Sequence, residues 1–339
     1  MKPVIFGIEG KTLSDAEKAF FTEQKPYGFI LFARNIESPD QLRALTDDLR
    51  ETAGRGNIPV LIDQEGGRVQ RMRSPHWFDA KPFAFFGDLH ATAPDLAAEA
   101  LRLTSRIIAG DLRAGGINVN CTPCLDLRLP ETVGAIGDRA FSDDPELNAL
   151  LGGIVAREFL AAGIMPVIKH MPGHGRATVD SHLELPHVTA PHATLSGMDF
   201  AAFKALSLLP WGMTSHIVFE DIDPDHPATQ SKKVIEEIIR GEIGFDGLLL
   251  TDDLNMSALS GSLGERAEIA LDAGVDIILH CSGILTEMEE VAAVCPPMPE
   301  KTKSRVTAGG PVFGGVSSPL DPAADHASLE ELLSSLGRT

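Results

Sequence analysis

The sequence predicts a single (β/α)8 barrel of the TIM type, an α/β fold, and three observations carry that expectation. Eight short β-rich runs recur along the 339 residues, stretches with helical periodicity separate them, and polar residues punctuate the carboxyl ends of the runs. Most runs are continuously apolar rather than alternating, as parallel strands covered on both faces are. Strands and helices in alternation favour a barrel, and the carboxyl ends of barrel strands face an active-site mouth. A doubly wound dinucleotide fold would want a glycine-rich turn after the first strand, and Gly7-Ile-Glu-Gly10 is not a GxGxxG.

In chain order, strands are expected over residues 4–8, 28–32, 59–62, 117–120, 165–169, 213–218, 247–251 and 275–280. Helices are expected over 39–52, 94–114, 145–162, 196–208, 232–243 and 264–273. Ser38-Pro39 and Asp144-Pro145 put proline at the first helical position, where its missing N–H costs nothing and its fixed φ is already helical. Gly115-Gly116, Gly163 and Gly274 stand where helices must stop before the next strand, and glycine enters a left-handed cap without a Cβ clash. From 296 to 324 the composition shifts to Pro, Gly, Ser and Thr with little periodicity, ahead of a short helical stretch at 328–336. The expected organisation is one catalytic barrel over 1–295 and a tail over 296–339.

A chain with 43% hydrophobic and 23% charged residues is an ordinary globular one that can bury a large core. Its formal net charge of −19 repels phosphate backbones and anionic lipid, so neither nucleic acid nor a membrane is an expected partner. No apolar run reaches the roughly 18 residues of a membrane span, and the amino terminus lacks the apolar core of a secretory signal. Four cysteines in a chain of this length make no disulfide framework, which with the absent signal makes the cytoplasm the expected compartment, and a monomer is expected. Cys121-Thr-Pro-Cys124 has the spacing of a metal or redox pair, but Cys281 and Cys295 are fourteen apart and supply no second one. Two small core residues are the expected reading.

The polar residues at the strand ends are Asp63, Asn120, Lys169 with His170, His216, Asp252 with Asp253, and His280. Three stretches around them can carry chemistry. In Asp63-Gln-Glu65-Gly66-Gly67-Arg68-Val-Gln-Arg71, a carboxylate and two guanidinium groups flank a glycine turn. That set suits sugar hydroxyls, or simple surface ion pairing. Lys169-His170-Met-Pro172-Gly173-His174-Gly175 leads into Asp180-Ser181-His182. Its two histidines have the spacing of a metal-binding helix face, but the Pro-Gly between them forbids a regular helix. A carboxylate two residues from an imidazole can instead fix its tautomer for acid/base work, with a polar loop residue as the alternative. Finally, 247–251 delivers Asp252 and Asp253 to a strand end, where neighbours point to opposite sides and at least one faces the mouth.

Together these stretches resemble glycoside hydrolase family 3, and within it the β-N-acetylhexosaminidases of the NagZ type. The resemblance is carried, in the family's order and spacing, by Asp63-Gln-Glu-Gly-Gly-Arg-Val-Gln-Arg71, Gly137-Asp-Arg139-Ala-Phe141, Lys169-His-Met-Pro-Gly-His-Gly175, Asp180-Ser-His182 and Thr251-Asp-Asp-Leu254. It spans about residues 3 to 290. It implies a retaining β-N-acetylglucosaminidase of peptidoglycan recycling, removing terminal N-acetylglucosamine from β-linked cell-wall muropeptide fragments through a covalent glycosyl-enzyme. Carried over, Asp252 is the nucleophile, His182 the acid/base and Asp180 its orienting partner. Asp63, Arg71, Arg139, Lys169 and His170 hold the sugar's hydroxyls and N-acetyl group. No metal and no organic cofactor is implied. Met171 departs from the family's usual aromatic or β-branched residue, Cys121 and Cys124 occupy positions usually apolar, and the tail has no clear counterpart.

Retaining glycosidases usually set two carboxylates about 5 Å apart. Histidine in place of the second one is near its pKa at neutral pH, and the loop containing Gly173 and Gly175 is expected to swing it over bound sugar. An imidazole does not repel phosphate as a carboxylate does, so phosphorolysis of the same bond is the alternative. A metal hydrolase using His170, His174 and His182, and a non-catalytic sugar-binding barrel, are the remaining rivals. Arg68, Arg71, Arg73, Arg139, Lys169 and Arg176 all fall in the motif segments, which predicts a locally positive mouth that would accept an anionic muropeptide.

Overall fold

A computed structural model describes residues 1–132, 134–309 and 320–334. Eight parallel strands close into a barrel. They are β1 (Lys2–Gly7), β2 (Pro26–Leu31), β3 (Val60–Ile62), β4 (Val119–Asn120), β5 (Met165–Met171), β6 (Trp211–Thr214), β7 (Leu248–Asp253) and β8 (Ile277–His280). Each pairs with the next in chain order and β8 pairs back with β1, where Phe6 stands opposite His280. Every expected strand has its counterpart within a few residues.

Side-chain alternation sorts the strands into two cores. Ile5, Ile30, Leu61, Val119, Val167, Met213, Leu250 and Leu279, one from each strand, pack together in the lumen. Their neighbours Phe6, Phe29, Ile62, Ile168, Leu249 and Ile278 face the helices instead. Burying each such side chain contributes about 1.5–3 kcal/mol, and both faces are covered, so the runs read as continuously apolar. Cys121 belongs to the lumen and Cys124 to the outer core, and all four cysteines are buried free thiols.

The helices obey their caps. Pro39–Ala53 begins where the Ser38 side chain accepts the Gln41 amide, buries Leu42, Leu45 and Leu49, and stops on Gly54 at φ 63°. Pro94–Ala114 and Pro145–Ala161 follow the expected bounds almost to the residue. The helices Asp15–Gln24, Phe83–His90 and Leu285–Val294 form where none was expected, and three of the expected segments differ. The strand expected over 213–218 leaves the barrel at Thr214; buried Ser215 and His216 turn the chain, and Val218–Phe219 pairs with His187–Val188 in a separate two-stranded sheet. The helix expected over 196–208 is two pieces, His192–Gly197 and Ala201–Ala205, separated where Asp199 accepts from Arg176 Nε at 2.7 Å.

The third difference is the tail, where 296–324 was expected to lack periodic structure and instead contains the helix Glu300–Ala308. Its anchor is electrostatic: Arg305 donates to Asp276 at 2.9 Å and to Asp246 at 2.8 Å, beside the Arg240–Asp276 pair at 2.7 Å. A helix held by a buried guanidinium shows little apolar stripe to a sequence reading. Pro322–Ser334 packs on Pro94–Ala114, with Arg106 paired to Asp325 at 3.0 Å; it starts earlier than the stretch expected at 328–336, whose last two residues lie outside those described.

Candidate active site

A cavity of about 330 Å³ opens at the carboxyl ends of the strands. Its lining includes all eight residues to which the resemblance assigns a role: Asp63, Arg71, Arg139, Lys169, His170, Asp180, His182 and Asp252. Strand ends supply Asp63, Lys169, His170 and Asp252, the short turn Gly137–Arg139 supplies Arg139, and a loop beyond β5 supplies Asp180 and His182. Asn120 does not reach the cavity; its amide exchanges hydrogen bonds with the Gln64 backbone and holds the turn after β3. In that turn Gly66 and Gly67 take φ of 113° and 58°, and a Cβ on Gly66 would stand 2.5 Å from the Lys81 carbonyl oxygen, so only glycine fits.

One side of the cavity is a buried ion network. Lys169 Nζ donates to Asp63 at 2.8 Å and to Glu65 at 2.7 Å. Arg139 grips Glu65 with two bonds of 3.0 and 2.8 Å, and Arg71 reaches Asp63 at 3.3 Å. Burial alone would raise the Asp63 carboxyl, but Lys169 and then Arg71 overrule it and hold it well below the usual range. Glu65 is likewise raised by burial yet brought down to about 2 by Arg139 and Lys169. Lys169 stays protonated because Asp63 and Glu65 outweigh its desolvation.

Behind His170 lies Asp126. Its carboxylate receives His170 Nδ1 at 2.6 Å, the Cys124 thiol at 3.2 Å, and the backbone amides of His170 and His174 at 3.3 and 2.7 Å. Burial pushes Asp126 up, but His170 more than offsets that, so it is ionised. Cys124, Asp126 and His170 bring potential metal-ligating atoms within 4.8 Å of one another, but these atoms are already engaged with each other by hydrogen bonds. His174 is pushed down to about 4 by burial, and its Nε2 lies 3.1 Å from the Ser181 hydroxyl.

Asp252 is half-buried and accepts the Asp253 amide through Oδ1 at 2.8 Å, which leaves Oδ2 for the cavity. Burial raises its pKa, but His170 and His216 lower it further, so it is a carboxylate at neutral pH. Asp253 is the opposite case. Burial pushes it up to about 6, and it spends Oδ1 on the amides of Asn255 and Cys281. On the loop, Asp180 Oδ1 accepts both the amide and Nδ1 of His182, at 2.9 and 2.8 Å, which fixes the imidazole with Nε2 outward. Gly175 is a close-packing position rather than a free hinge: a Cβ there would sit 2.4 Å from the Leu127 carbonyl oxygen.

The locally positive mouth is not what the fold produces. Arg71, Arg139 and Lys169 are spent on Asp63 and Glu65, Arg68 pairs with Asp138 at 2.9 Å, and Arg176 turns to Asp199. Arg73 donates to the Gln70, Gly67 and Arg68 carbonyls. Sequence reasoning also left Glu65 and Asp126 without roles, although Glu65 stands inside the first recognised stretch; their partners are 74 and 44 residues away. Phe32 escaped notice too. Its ring lies 4.8 Å from the Arg34 guanidinium and 5.4 Å from that of Arg71, at the cavity wall.

Known proteins resemble this chain in sequence and fold. The family model described as the glycosyl hydrolase family 3 N terminal domain matches residues 7–303. A β-hexosaminidase of Alkalilimnicola ehrlichii is 39% identical over 305 residues, 88% of this chain and 84% of that one. The crystal structure of NagZ from Neisseria gonorrhoeae in complex with N-trifluoroacetyl-D-glucosamine superposes with a TM-score of 0.87 at 29% identity over 98% of both chains. The family 3 β-N-acetylglucosaminidase of Paenibacillus sp. str. FPU-7 gives 0.87 at 30% identity, over 97% of this chain and 66% of that longer one. With a charged cavity at the carboxyl end of a matching barrel, this glycoside hydrolase belongs to the β-N-acetylhexosaminidases of family 3.

Proposed function

We propose that the enzyme is a retaining β-N-acetylglucosaminidase that cleaves terminal N-acetylglucosamine from cell-wall muropeptide fragments, with Asp252 as nucleophile and His182 as acid/base. One observation carries the reading: an ionised, half-buried carboxylate and an Asp-held imidazole share one cavity. Asp252 Oδ2 attacks the anomeric carbon while the glycosidic bond breaks, and the leaving oxygen takes the proton of His182 Nε2. Water then attacks the glycosyl-enzyme, gives its proton back to His182, and releases Asp252. Asp180 is raised by burial but lowered more by its bonds to His182, so it stays ionised and stabilises the imidazolium that donates in the first step and re-forms in the second.

Asp63, Arg71, Arg139, Lys169 and His170 hold the sugar in this scheme. Because each of these side chains already has a protein partner, the site presents fixed dipoles to a neutral sugar and needs little reorganisation on binding. The muropeptide as substrate rests on the resemblance to the family, and the cytoplasm as compartment is supported by four buried free thiols. Incubation with a slow 2-deoxy-2-fluoro glycosyl donor followed by peptide mass spectrometry tests the nucleophile. Label on Asp252, and loss of aryl N-acetylglucosaminide turnover in Asp252→Ala, are the expected results; label on another residue refutes the assignment.

A further inference from the structure

The loop that carries His182 is pinned by its middle residue. Asp180 and His182 keep 31% and 65% of their side chains exposed, whereas Ser181 between them is 2% exposed. The Ser181 hydroxyl lies 3.1 Å from His174 Nε2, and the Ser181 carbonyl accepts the amide of Ala258, in the loop after β7, at 3.2 Å. On its far side His174 donates its own amide to Asp126 at 2.7 Å. A continuous set of contacts thus runs from the carboxylate behind His170, through His174, to the residue between His182 and Asp180.

The His174 ring has no task in the chemistry described above. It is buried, is not among the residues lining the cavity, and its Nδ1 has no hydrogen-bond partner. A buried N–H without an acceptor is rarer in folded proteins than an unfilled lone pair, so the proton belongs on Nε2, donated to Ser181 Oγ. With the ring neutral at pH 7, that tautomer persists.

We propose that His174 and Ser181 form a latch that sets where His182 stands over the cavity, which makes both of them positioning residues for the proton transfers. The latch rests on the reading of His182 as acid/base. Without it the Asp180–His182 pair keeps its own two hydrogen bonds, but the segment shifts as a unit, and small displacements of a proton donor cost rate steeply.

The test is kcat/KM for aryl N-acetyl-β-glucosaminides graded from activated to poor leaving groups, measured on Ser181→Ala, Ser181→Thr, His174→Asn and His182→Ala. Ser181→Ala and His174→Asn are expected to lose roughly three- to tenfold on poor leaving groups, the rate equivalent of one net hydrogen bond, and under about twofold on activated ones. Ser181→Thr, which keeps the hydroxyl, restores most of the loss. A loss uniform across the series in either latch variant, or no loss at all, overturns the latch. A flat profile for His182→Ala overturns the acid/base reading itself, and so separates the two failures.

Discussion

Replacing Glu65 by glutamine keeps the shape of the buried network and removes one charge from its centre. Three cations, Arg71, Arg139 and Lys169, face two carboxylates, Asp63 and Glu65, so the local sum moves from 3 − 2 = +1 to 3 − 1 = +2. Removing one partner of a buried pair costs about 3–5 kcal/mol. The drop of the Glu65 pKa from 4.5 to about 2 gives an independent figure of about 3 kcal/mol. With an unfolding entropy near 2.1 cal/mol/K per residue, a 339-residue chain should lose about 4–7 °C in Tm. The assay is thermal unfolding by circular dichroism from neutral pH into acid. Because the folded-state pKa lies below the unfolded one, the contribution is complete above pH 4.5 and disappears as pH falls toward about 2. The gap between parent and variant therefore stays constant from neutral pH to about 5 and closes below that. A gap under about 1 °C at pH 7, or one that has not narrowed at pH 3, refutes the reasoning.

Asp126→Asn replaces the acceptor of His170 Nδ1 with an amide that no longer fixes the ring, and kcat/KM should fall by about a hundredfold in steady-state assays. Phe32→Leu takes away the ring beside Arg71, a contact worth about 0.5–1 kcal/mol, so KM should rise about two- to fivefold with kcat unchanged. At the opposite end of the barrel, Arg305→Ala breaks the anchor of Glu300–Ala308; Tm should fall by about 4–7 °C while kcat/KM stays within about twofold.

The barrel was legible because the strands are short and mostly apolar and several of the helices between them start at a readable cap, as Ser38-Pro39 and Asp144-Pro145 do. Periodicity misled where a tertiary contact overrode it. The apolar letters of 213–218 read as one strand, yet buried Ser215 and His216 divide it, and Asp199 interrupts a helix to hold Arg176. The helix Glu300–Ala308 was invisible because its anchor is a guanidinium whose partners, Asp246 and Asp276, lie elsewhere in the chain. At the site, side chains at strand ends could be named from their position alone. What a single chain cannot display is pairing: Glu65 with Arg139 and Asp126 with His170 exist only once distant strand ends meet, and Ser181 meets His174 only once their loop has folded back. For the same reason the six basic letters near the motifs suggested a positive mouth, while the folded chain had already neutralised most of them.

On the proposed assignment, the two partners in catalysis ride on material of unequal stiffness. Asp252 ends a strand hydrogen-bonded to neighbours on both sides, whereas His182 stands on a loop tied down through a few hydrogen bonds around Ser181. Local opening takes the least free energy where the fewest buried contacts oppose it. On warming, proton delivery fails while the nucleophile is still in place. Glycosides with good leaving groups then outlast ordinary ones, and the ratio of the two rates becomes a thermometer for a single loop.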